Sequence, residues 1–309
     1  MRGDAIDGKA TEGSETAVTS YQAILLAGPT ASGKSRLAVE LARQHGGGVI
    51  NADSMQVYAE LRILTARPSP EDEAAVPHRL YGTVPAAERY SVGAWLGDVA
   101  AALGATREEG RMPIVVGGTG LYFKALTEGL AAVPPIPEDV RERVRGEAAG
   151  LSAPELHTRL AAVAPDDARQ VRPSDRARIV RALEVFEATG RSLARWQEAP
   201  PLRPLIDPAR ARRLVLDVER AVLHERIGAR AEEMVRSGGL AEAEAIGKLG
   251  LNPELPAMKA IGVRELLDHL AGKISLDEAI VAMKTETRRY AKRQMTWFRN
   301  QMADWETVP

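Results

Sequence analysis

The chain has 309 residues, of which 45% are apolar and 27% are charged, with 41 lysines and arginines against 42 aspartates and glutamates. This composition is typical of a globular protein, and the charge balance excludes a surface that is basic throughout, so a polyanion would need a local basic patch. The absence of cysteine excludes disulfides, cysteine-ligated zinc, iron–sulfur clusters and a cysteine nucleophile.

Residues 1–20 carry Asp, Glu and Gly where a secretory signal would need an apolar core. We predict a disordered extension there, on a cytoplasmic enzyme. No apolar run approaches the ~20 residues that a membrane-spanning helix needs, so we expect no membrane association. The length is about twice that of a common domain and predicts a main domain with an appended or inserted lobe.

Short apolar runs alternate with helical patterns up to residue 130. Buried strands are predicted at Gln22–Ala27, from Val49 to about residue 51, and at Pro113–Gly117. Helices are predicted at 35–45, 91–109 and 118–130, with three glycines at 46–48 ending the first of them. This alternation predicts a parallel sheet with helices on both faces.

Proline clusters near residues 134–137 and 200–208 bracket a stretch that is helical in pattern throughout. A returning strand is predicted at Arg213–Val218, followed by helices at 219–237, 241–249, 263–271 and 276–300. We therefore predict an α/β core formed by 21–130 and 205–309, interrupted by an all-helical insertion domain over 131–204.

The first strand leads into a glycine-rich turn that fits the pattern G-x-x-x-x-G-K-[ST] and opens a helix. Its residues are Gly28, Pro29, Thr30, Ala31, Ser32, Gly33, Lys34 and Ser35. Glycines allow backbone N–H groups to converge on a phosphate, the helix adds its positive end, and the lysine adds a cation. The serine hydroxyl can complete the shell of Mg²⁺, so we predict a diphosphate site with Mg²⁺ as cofactor. The loop alone does not distinguish a nucleotide from another diphosphate.

Asp53 follows the second strand, at the sheet edge where chemistry gathers in such folds. By itself it could act as a general base, a metal ligand or a helix N-cap. It would lie near the phosphate loop if the first and second strands are neighbours. The turn Gly117–Tyr122 ends a later strand in the same way and brings the hydroxyl of Thr119.

The last predicted helix is strongly basic. Between Lys284 and Arg299 it carries six basic residues against the single acid Glu286, with Tyr290, Trp297 and Phe298 interleaved. Lysine and arginine neutralise phosphates and aromatic rings stack on bases, which would suit RNA. The alternative is a solvated basic face whose aromatic side chains pack into the core.

Read together with DSMQVY (53–58) and GGTGLY (117–122), the phosphate loop makes the sequence resemble the tRNA dimethylallyltransferases. The similarity continues through 178–185 and 260–265 to AKRQMTWFR (291–299) and spans about residues 22–301. The resemblance implies a P-loop NTPase-like α/β fold. It also implies transfer of a dimethylallyl group from dimethylallyl diphosphate to N6 of the adenosine on the 3′ side of the anticodon, and, because cysteine is absent, the bacterial form of the enzyme.

The same resemblance implies roles for individual residues. Asp53 matches the general base, Thr119 a tRNA-contacting position also assigned to catalysis, and Arg230 an arginine that helps to bind the prenyl diphosphate. Thr30 to Ser35 match the diphosphate loop, with the Ser35 hydroxyl on Mg²⁺. The remaining positions match segments that contact the tRNA anticodon stem-loop: Ser54, Met55, Gln56, Arg141, Ala177, Arg178, Ile179, Val180, Arg181, Lys259, Arg264, Lys292, Arg293, Gln294, Trp297 and Arg299.

Three other functions also use parts of these features. A small-molecule kinase would hold ATP in the same loop, a prenyltransferase could act on free adenine nucleotides, and a non-catalytic module could simply bind RNA. The kinase leaves the basic final helix unexplained, and the binding module leaves Asp53 beside the phosphate loop unexplained. The five histidines lack metal-site spacing, so we assign no protein-ligated metal, and we expect a monomer.

Overall fold

A computed structural model describes residues 21–309, and the extension predicted over 1–20 lies outside the described residues. Six strands form a single parallel sheet in the order β3-β2-β4-β1-β5-β6. The strands are β1 (Ala23–Ala27), β2 (Gly47–Asn51), β3 (His78–Arg79), β4 (Met112–Gly117), β5 (Ala211–Leu216) and β6 (Glu306–Val308). Every residue of β1 is buried because strands flank it on both sides and helices cover both faces of the sheet.

Helices cover the two faces of the sheet with separate hydrophobic clusters. On one face, α1 (Lys34–His45) packs against Ile24 and Leu26. On the other face, α3 (Val92–Glu108) and α4 (Gly120–Glu128) pack with Leu25. The alternation of strand side chains between the two clusters follows the two-residue period of a strand. The predicted α/β fold class is confirmed.

Two details of the sheet differ from the sequence prediction. Only Gly46, in the left-handed conformation at φ 59°, ends α1, whereas Gly47 and Gly48 begin β2. A side chain at Gly47 would collide with the backbone oxygen of Met112, so glycine there allows β2 and β4 to approach closely. The first and second strands are not neighbours, because β4 lies between them.

The helical stretch after residue 130 consists of α5 (Glu138–Ala149), α6 (Ala153–Val163), α7 (Pro165–Gln170), α8 (Arg176–Thr189) and α9 (Leu193–Glu198). These helices enclose a hydrophobic cluster of their own, with Leu156, Leu160 and Ile179 fully buried. An independent cluster is typical of a lobe with its own core. The insertion boundaries at 131 and 204 stay predictions.

A further helical layer lies over the loop that follows β2. It comprises α10 (Arg220–Met234), α11 (Leu240–Lys248), α12 (Val263–Leu270) and α13 (Leu276–Gln301), while the short α2 (Pro70–Ala75) precedes β3. Val57, Leu61 and Leu64 pack beneath α11, α12 and α13. A wide helical turn at Val235–Gly239, with Gly238 at φ 109°, joins α10 to α11. None of the helices in residues 21–309 has both the length and the hydropathy to cross a bilayer.

Candidate active site

The phosphate loop joins β1 to α1 at the carboxyl edge of the sheet. Gly33 has φ 94° and Ala31 has φ 62°, so the backbone turns through the left-handed region twice before α1 begins at Lys34. Only glycine adopts this region without strain, which accounts for Gly33 at the N-cap. The Lys34 ammonium donates to the carbonyl of Pro29 at 3.2 Å and folds back along the loop. The loop therefore has the geometry that binds phosphate at a helix N-terminus.

Burial lowers the pKa of the Lys34 ammonium to about 8. The side chain is 8% exposed, and the loss of hydration disfavours its charged form. The negative charge of Asp53 raises this pKa in part, and the positive charge of Arg230 lowers it further. The three side chains thus share one electrostatic environment.

Asp53 is held by the residues around it rather than by a helix. Its backbone N–H donates to Oδ1 of Asn51 at 2.8 Å, and its own Oδ1 accepts from the backbone N–H of Met55 at 2.9 Å. Residues 54–57 form turns, so Asp53 does not cap a helix. Its Oδ2 accepts no hydrogen bond from residues 21–309 and is the oxygen free to take a proton.

Asp53 reaches the phosphate loop although β4 separates β2 from β1. The ends of β2 and β4 approach so closely that a side chain at Gly117 would overlap the carbonyl of Ala52. Thr119 completes this junction: its Oγ1 accepts from the backbone N–H of Ser54 at 3.0 Å, and its N–H donates to Ala52 at 3.2 Å. The predicted proximity of Asp53 to the loop is found, but it depends on this junction instead of on strand pairing.

A pocket of about 240 Å³ opens between the phosphate loop, Asp53, α10 and α13. Nine of its lining residues are polar: Thr30, Asp53, Ser54, Thr65, Arg230, Lys259, Thr287, Tyr290 and Arg293. The other eight are apolar: Met55, Leu64, Ile227, Ala231, Met234, Ala260, Ile261 and Met283. The pocket therefore suits a small ligand with a charged head and a short hydrocarbon tail.

Two arginines of α10 face the loop on successive turns. Arg226 donates to the carbonyl of Ser32 at 3.3 Å and so supports the loop. Arg230 lies in the pocket, and it forms no ion pair with any residue of the described range 21–309. Burial lowers the pKa of Arg230, whereas the charge of Asp53 raises it. An arginine desolvated without a carboxylate partner is suited to an anionic ligand.

The final helix contributes to the site from its inner face. Gln294, predicted to contact RNA, is 5% exposed, accepts from the N–H of Thr30 at 2.9 Å and donates to the carbonyl of Gly118 at 2.9 Å. It therefore ties the phosphate loop to the β4 turn, which differs from its predicted role. The Tyr290 phenol lies beside Thr119, and its pKa is raised by burial and by the charge of Asp53. Phe298 is in the core.

The other predicted RNA contacts fall into three groups. Ile179 is fully buried in the insertion core and faces away from any ligand, because one side of α8 must pack inward. Trp297 is half-buried against Gly120, and Gln56 donates to the carbonyls of Thr65 and Ala66, so their polar groups also point inward. The structure leaves the remaining positions at least partly accessible: Ser54, Met55, Arg141, Ala177, Arg178, Val180, Arg181, Lys259, Arg264, Lys292, Arg293 and Arg299.

Glu242 was not predicted and organises one wall of the pocket. From α11, its carboxylate accepts from the backbone N–H groups of Arg62, Ile63 and Leu64 at 3.0, 2.7 and 3.0 Å. This turn carries Leu64 and Thr65 into the pocket. A glutamate near the start of a predicted helix is an ordinary helical residue, so no local signal identifies the role.

We expect Glu242→Ala to lower the stability of the protein by about 2–3 kcal/mol, because three N–H groups lose a charged acceptor. The KM for the ligand of the pocket should rise more than kcat falls, since Leu64 and Thr65 line the pocket, whereas Asp53 is held by Asn51 and Met55. Thermal melting and steady-state kinetics check this, with Glu244→Ala on the same helix as control. Equal melting temperatures for the two variants would contradict it.

A Mg²⁺ ion at the phosphate loop would be held jointly by the protein and a bound ligand. Ser35 is exposed at the first turn of α1, and residues 21–309 contain no cluster of three or more side chains suited to a metal. Mg²⁺ usually keeps several waters and binds through few protein groups plus substrate phosphates. The residues present fit such an ion, with Ser35 supplying one oxygen.

A glycine-rich loop at the carboxyl end of a central strand, followed by a helix, places the protein in the P-loop class of α/β proteins. The family model described as "IPP transferase" matches residues 56–301, and "Isopentenyl transferase" matches residues 21–83. The chain belongs to the IPP transferase family.

Curated relatives and solved structures indicate the same family. The chain is 56% identical to a tRNA dimethylallyltransferase of Azorhizobium caulinodans over 92% of this chain and 90% of that one. It is 53% identical to that of a Bradyrhizobium species over 94% of each. The structure is similar to a tRNA isopentenylpyrophosphate transferase of Bacillus halodurans, with TM-score 0.65, 34% identity, and 92% and 88% of the two chains covered. It is also similar to a eukaryotic dimethylallyltransferase acting on tRNA, with TM-score 0.75, 27% identity, and 93% and 73% covered.

Proposed function

We propose that the chain transfers a dimethylallyl group from dimethylallyl diphosphate to N6 of the adenosine on the 3′ side of the anticodon in tRNA. The new bond joins N6 to the allylic carbon, the carbon–oxygen bond to diphosphate breaks, and the N6 proton passes to Asp53. The products are N6-isopentenyladenosine and diphosphate. The names of the relatives support both the acceptor and the transferred group.

The mixed polar and apolar lining of the pocket carries this proposal. The loop amides, Lys34 and Arg230 would stabilise negative charge on the departing diphosphate. Hydrogen-bond donors and cations contribute most to catalysis where charge develops in the transition state. The apolar lining residues, Leu64, Met234 and Met283 among them, match a short branched hydrocarbon.

Asp53 is proposed as the general base. The exocyclic amine of adenine is a poor nucleophile because its lone pair is delocalised, so removal of its proton assists attack. Thr119 acts as a positioning residue through Ser54, which keeps the turn that carries Asp53 in place. The target adenosine would have to leave the base stack to reach this carboxylate.

To distinguish the candidate functions, labelled dimethylallyl diphosphate is offered together with bulk tRNA or with AMP, and ATP is tested in parallel as a phosphoryl donor. We expect label in tRNA with release of diphosphate, and none in AMP. Label in AMP would indicate a free-nucleotide prenyltransferase, phosphoryl transfer from ATP would indicate a kinase, and binding of tRNA without any label would indicate a non-catalytic module.

Lys34 makes ligand binding and stability depend on pH in opposite directions. In the unliganded protein the ammonium loses its charge as pH rises through about 8, so the affinity for dimethylallyl diphosphate should fall there. Its pKa in the fold is below the value of 10.5 in the unfolded chain, so unfolding takes up a proton between these pH values. The contribution of Lys34 to the stability of the unliganded protein is therefore least favourable below pH 8 and improves towards 10.5.

Lys34→Met tests both trends. We expect the variant to melt at a higher temperature than wild type at pH 7, because a desolvated charge is gone, and the difference to shrink as pH rises. Binding of dimethylallyl diphosphate should be lost at every pH. Calorimetric titration and thermal melting across pH 6 to 10 measure this, and a melting difference that grows with pH would contradict the assignment.

We propose Mg²⁺ as the cofactor, held by Ser35 and the diphosphate oxygens, where it would offset negative charge on the leaving group. We also propose that the enzyme acts as a cytoplasmic monomer. The chemistry of the loop supports the first proposal, and the basic RNA-facing surface, which disfavours self-association, supports the second. Ser35→Ala should weaken the dependence of dimethylallyl diphosphate binding on added Mg²⁺.

A further inference from the structure

A basic groove of about 460 Å³ lies between α10 and α13, and of its lining residues only Lys292 and Arg299 were predicted to contact RNA. Six basic side chains line it: Arg220, His224, Arg288, Arg289, Lys292 and Arg299. The other lining residues are apolar or carry hydroxyl groups, so no carboxylate of the described chain lines the groove. Two of the six, Arg220 and His224, come from α10, outside the basic final helix.

The groove and the active pocket lie on opposite faces of α13. Met283, Thr287 and Tyr290, at helical spacing, face the pocket. Arg288, Lys292 and Arg299, also at helical spacing, face the groove. Lys292 follows Tyr290 by two residues, which turns its side chain about 200° around the helix. The groove is therefore a separate surface and not an extension of the pocket wall.

Most of the charges in the groove are not neutralised by the protein itself. Arg289 pairs with Glu286 at 2.6 Å, whereas Arg220, Arg288, Lys292 and Arg299 form no ion pair with residues of the described range 21–309. Other predicted RNA contacts are paired, such as Lys259 with Glu254 at 2.9 Å. Like charges held together without a counter-charge create a positive potential that attracts a polyanion.

A continuous band of positive charge connects the groove with the active pocket. Arg293 lines the pocket, and Arg289, one turn earlier on the same side of α13, lines the groove. A chain of phosphates that enters at Arg293 can therefore continue around the helix, whose diameter with side chains is about 10–12 Å. A single small anion would not need such a band.

We propose that this groove binds the sugar–phosphate backbone of the RNA substrate, at nucleotides adjoining the one in the active pocket. The inference rests on the proposed function for the identity of the RNA. It assigns Arg220 and His224 of α10 to RNA binding together with the outer face of α13. Binding there would be electrostatic and independent of base sequence.

The test compares Arg220→Ala/Arg288→Ala with a matched control, Arg43→Ala/Arg107→Ala. The control removes the same charge from two exposed arginines at the ends of α1 and α3, on the opposite edge of the sheet. Binding of an anticodon stem-loop RNA, with adenosine on the 3′ side of the anticodon, is titrated from 50 to 300 mM salt (roughly the range over which phosphate contacts are screened). Thermal melting establishes that both variants are folded.

We expect the groove variant to bind RNA about tenfold more weakly and the slope of log K against log salt to flatten by about 1.4–1.8, while the control behaves as wild type. Affinity and slope equal to wild type would overturn the inference. Equal losses in both double variants would also overturn it, because the effect would then be one of net charge.

Prenyl transfer by the wild type is assayed separately, so the two proposals can fail independently. RNA binding that depends on the groove but without prenyl transfer would refute the proposed function and leave the groove as an RNA-binding surface. Prenyl transfer together with unchanged RNA binding by the groove variant would refute the groove alone.

Discussion

Asp53→Asn is expected to bind tRNA and dimethylallyl diphosphate as wild type does but to transfer the prenyl group about 10²–10⁴-fold more slowly. The amide keeps an oxygen that can accept from the backbone N–H of Met55, so the turn around residue 53 is preserved. What disappears is the second carboxylate oxygen, which accepts no hydrogen bond from the described residues and can take the N6 proton. Single-turnover transfer at saturating substrates measures the chemical step.

Asp277→Asn is the matched control for this substitution. It makes the same chemical change at an exposed aspartate in the first turn of α13, outside the pocket. We expect a small effect on the transfer rate. If Asp53→Asn also transferred the prenyl group at a rate close to wild type, Asp53 would have no part in proton removal, and an unactivated amine would be the nucleophile.

Arg230→Met is expected to lower kcat/KM for dimethylallyl diphosphate by about 10²–10³-fold, with a large part of the loss in kcat. The guanidinium is desolvated in the pocket and forms no ion pair with residues 21–309, so its charge is available to the diphosphate. Negative charge on the leaving group grows as the carbon–oxygen bond breaks, and this stabilisation is greater in the transition state than in the bound substrate. Methionine preserves the length and apolar contacts of the side chain.

Arg236→Met provides the same chemical change beyond the pocket, at an exposed arginine that pairs with Glu233. We expect wild-type kinetics from this control. An Arg230→Met variant with an increased KM but an unchanged kcat would mean that Arg230 holds substrate and transition state equally, which would remove it from the stabilisation of the departing group.

Local sequence was sufficient for the phosphate loop and for the sheet that carries it. Gly33 and Lys34 belong to an eight-residue motif whose backbone conformation is set by its own residues. The strand, the loop and the helix could therefore be predicted together. The longer strands β1 and β4 are continuous apolar runs, because a parallel strand is buried on both faces. By contrast, β3 and β6 have only two and three residues and depend on pairing with β2 and β5, so neither run is long enough to predict.

The family resemblance supplied Asp53 and Arg230, and the structure brings both into one pocket with the loop. It did not supply the inward orientation of Gln294. A basic helix with a glutamine inside a KRQ sequence indicates a polar surface, yet this side chain spans the phosphate loop and the β4 turn. Whether a single polar side chain on a helix points inward depends on which face of the helix packs against the rest of the protein.

By itself the sequence determined the α/β class, the phosphate loop, the acidic residue at the end of β2 and a basic final helix, because each is encoded by neighbouring residues. Only the tertiary structure decided that Glu242 supports Leu64, that α10 and α13 complete the pocket beside Asp53, and that a basic groove faces away from it. These features join residues far apart in the chain, such as Arg62 and Glu242, which are 180 positions apart. Contacts over that separation follow from how helices pack on the sheet, which no local periodicity records.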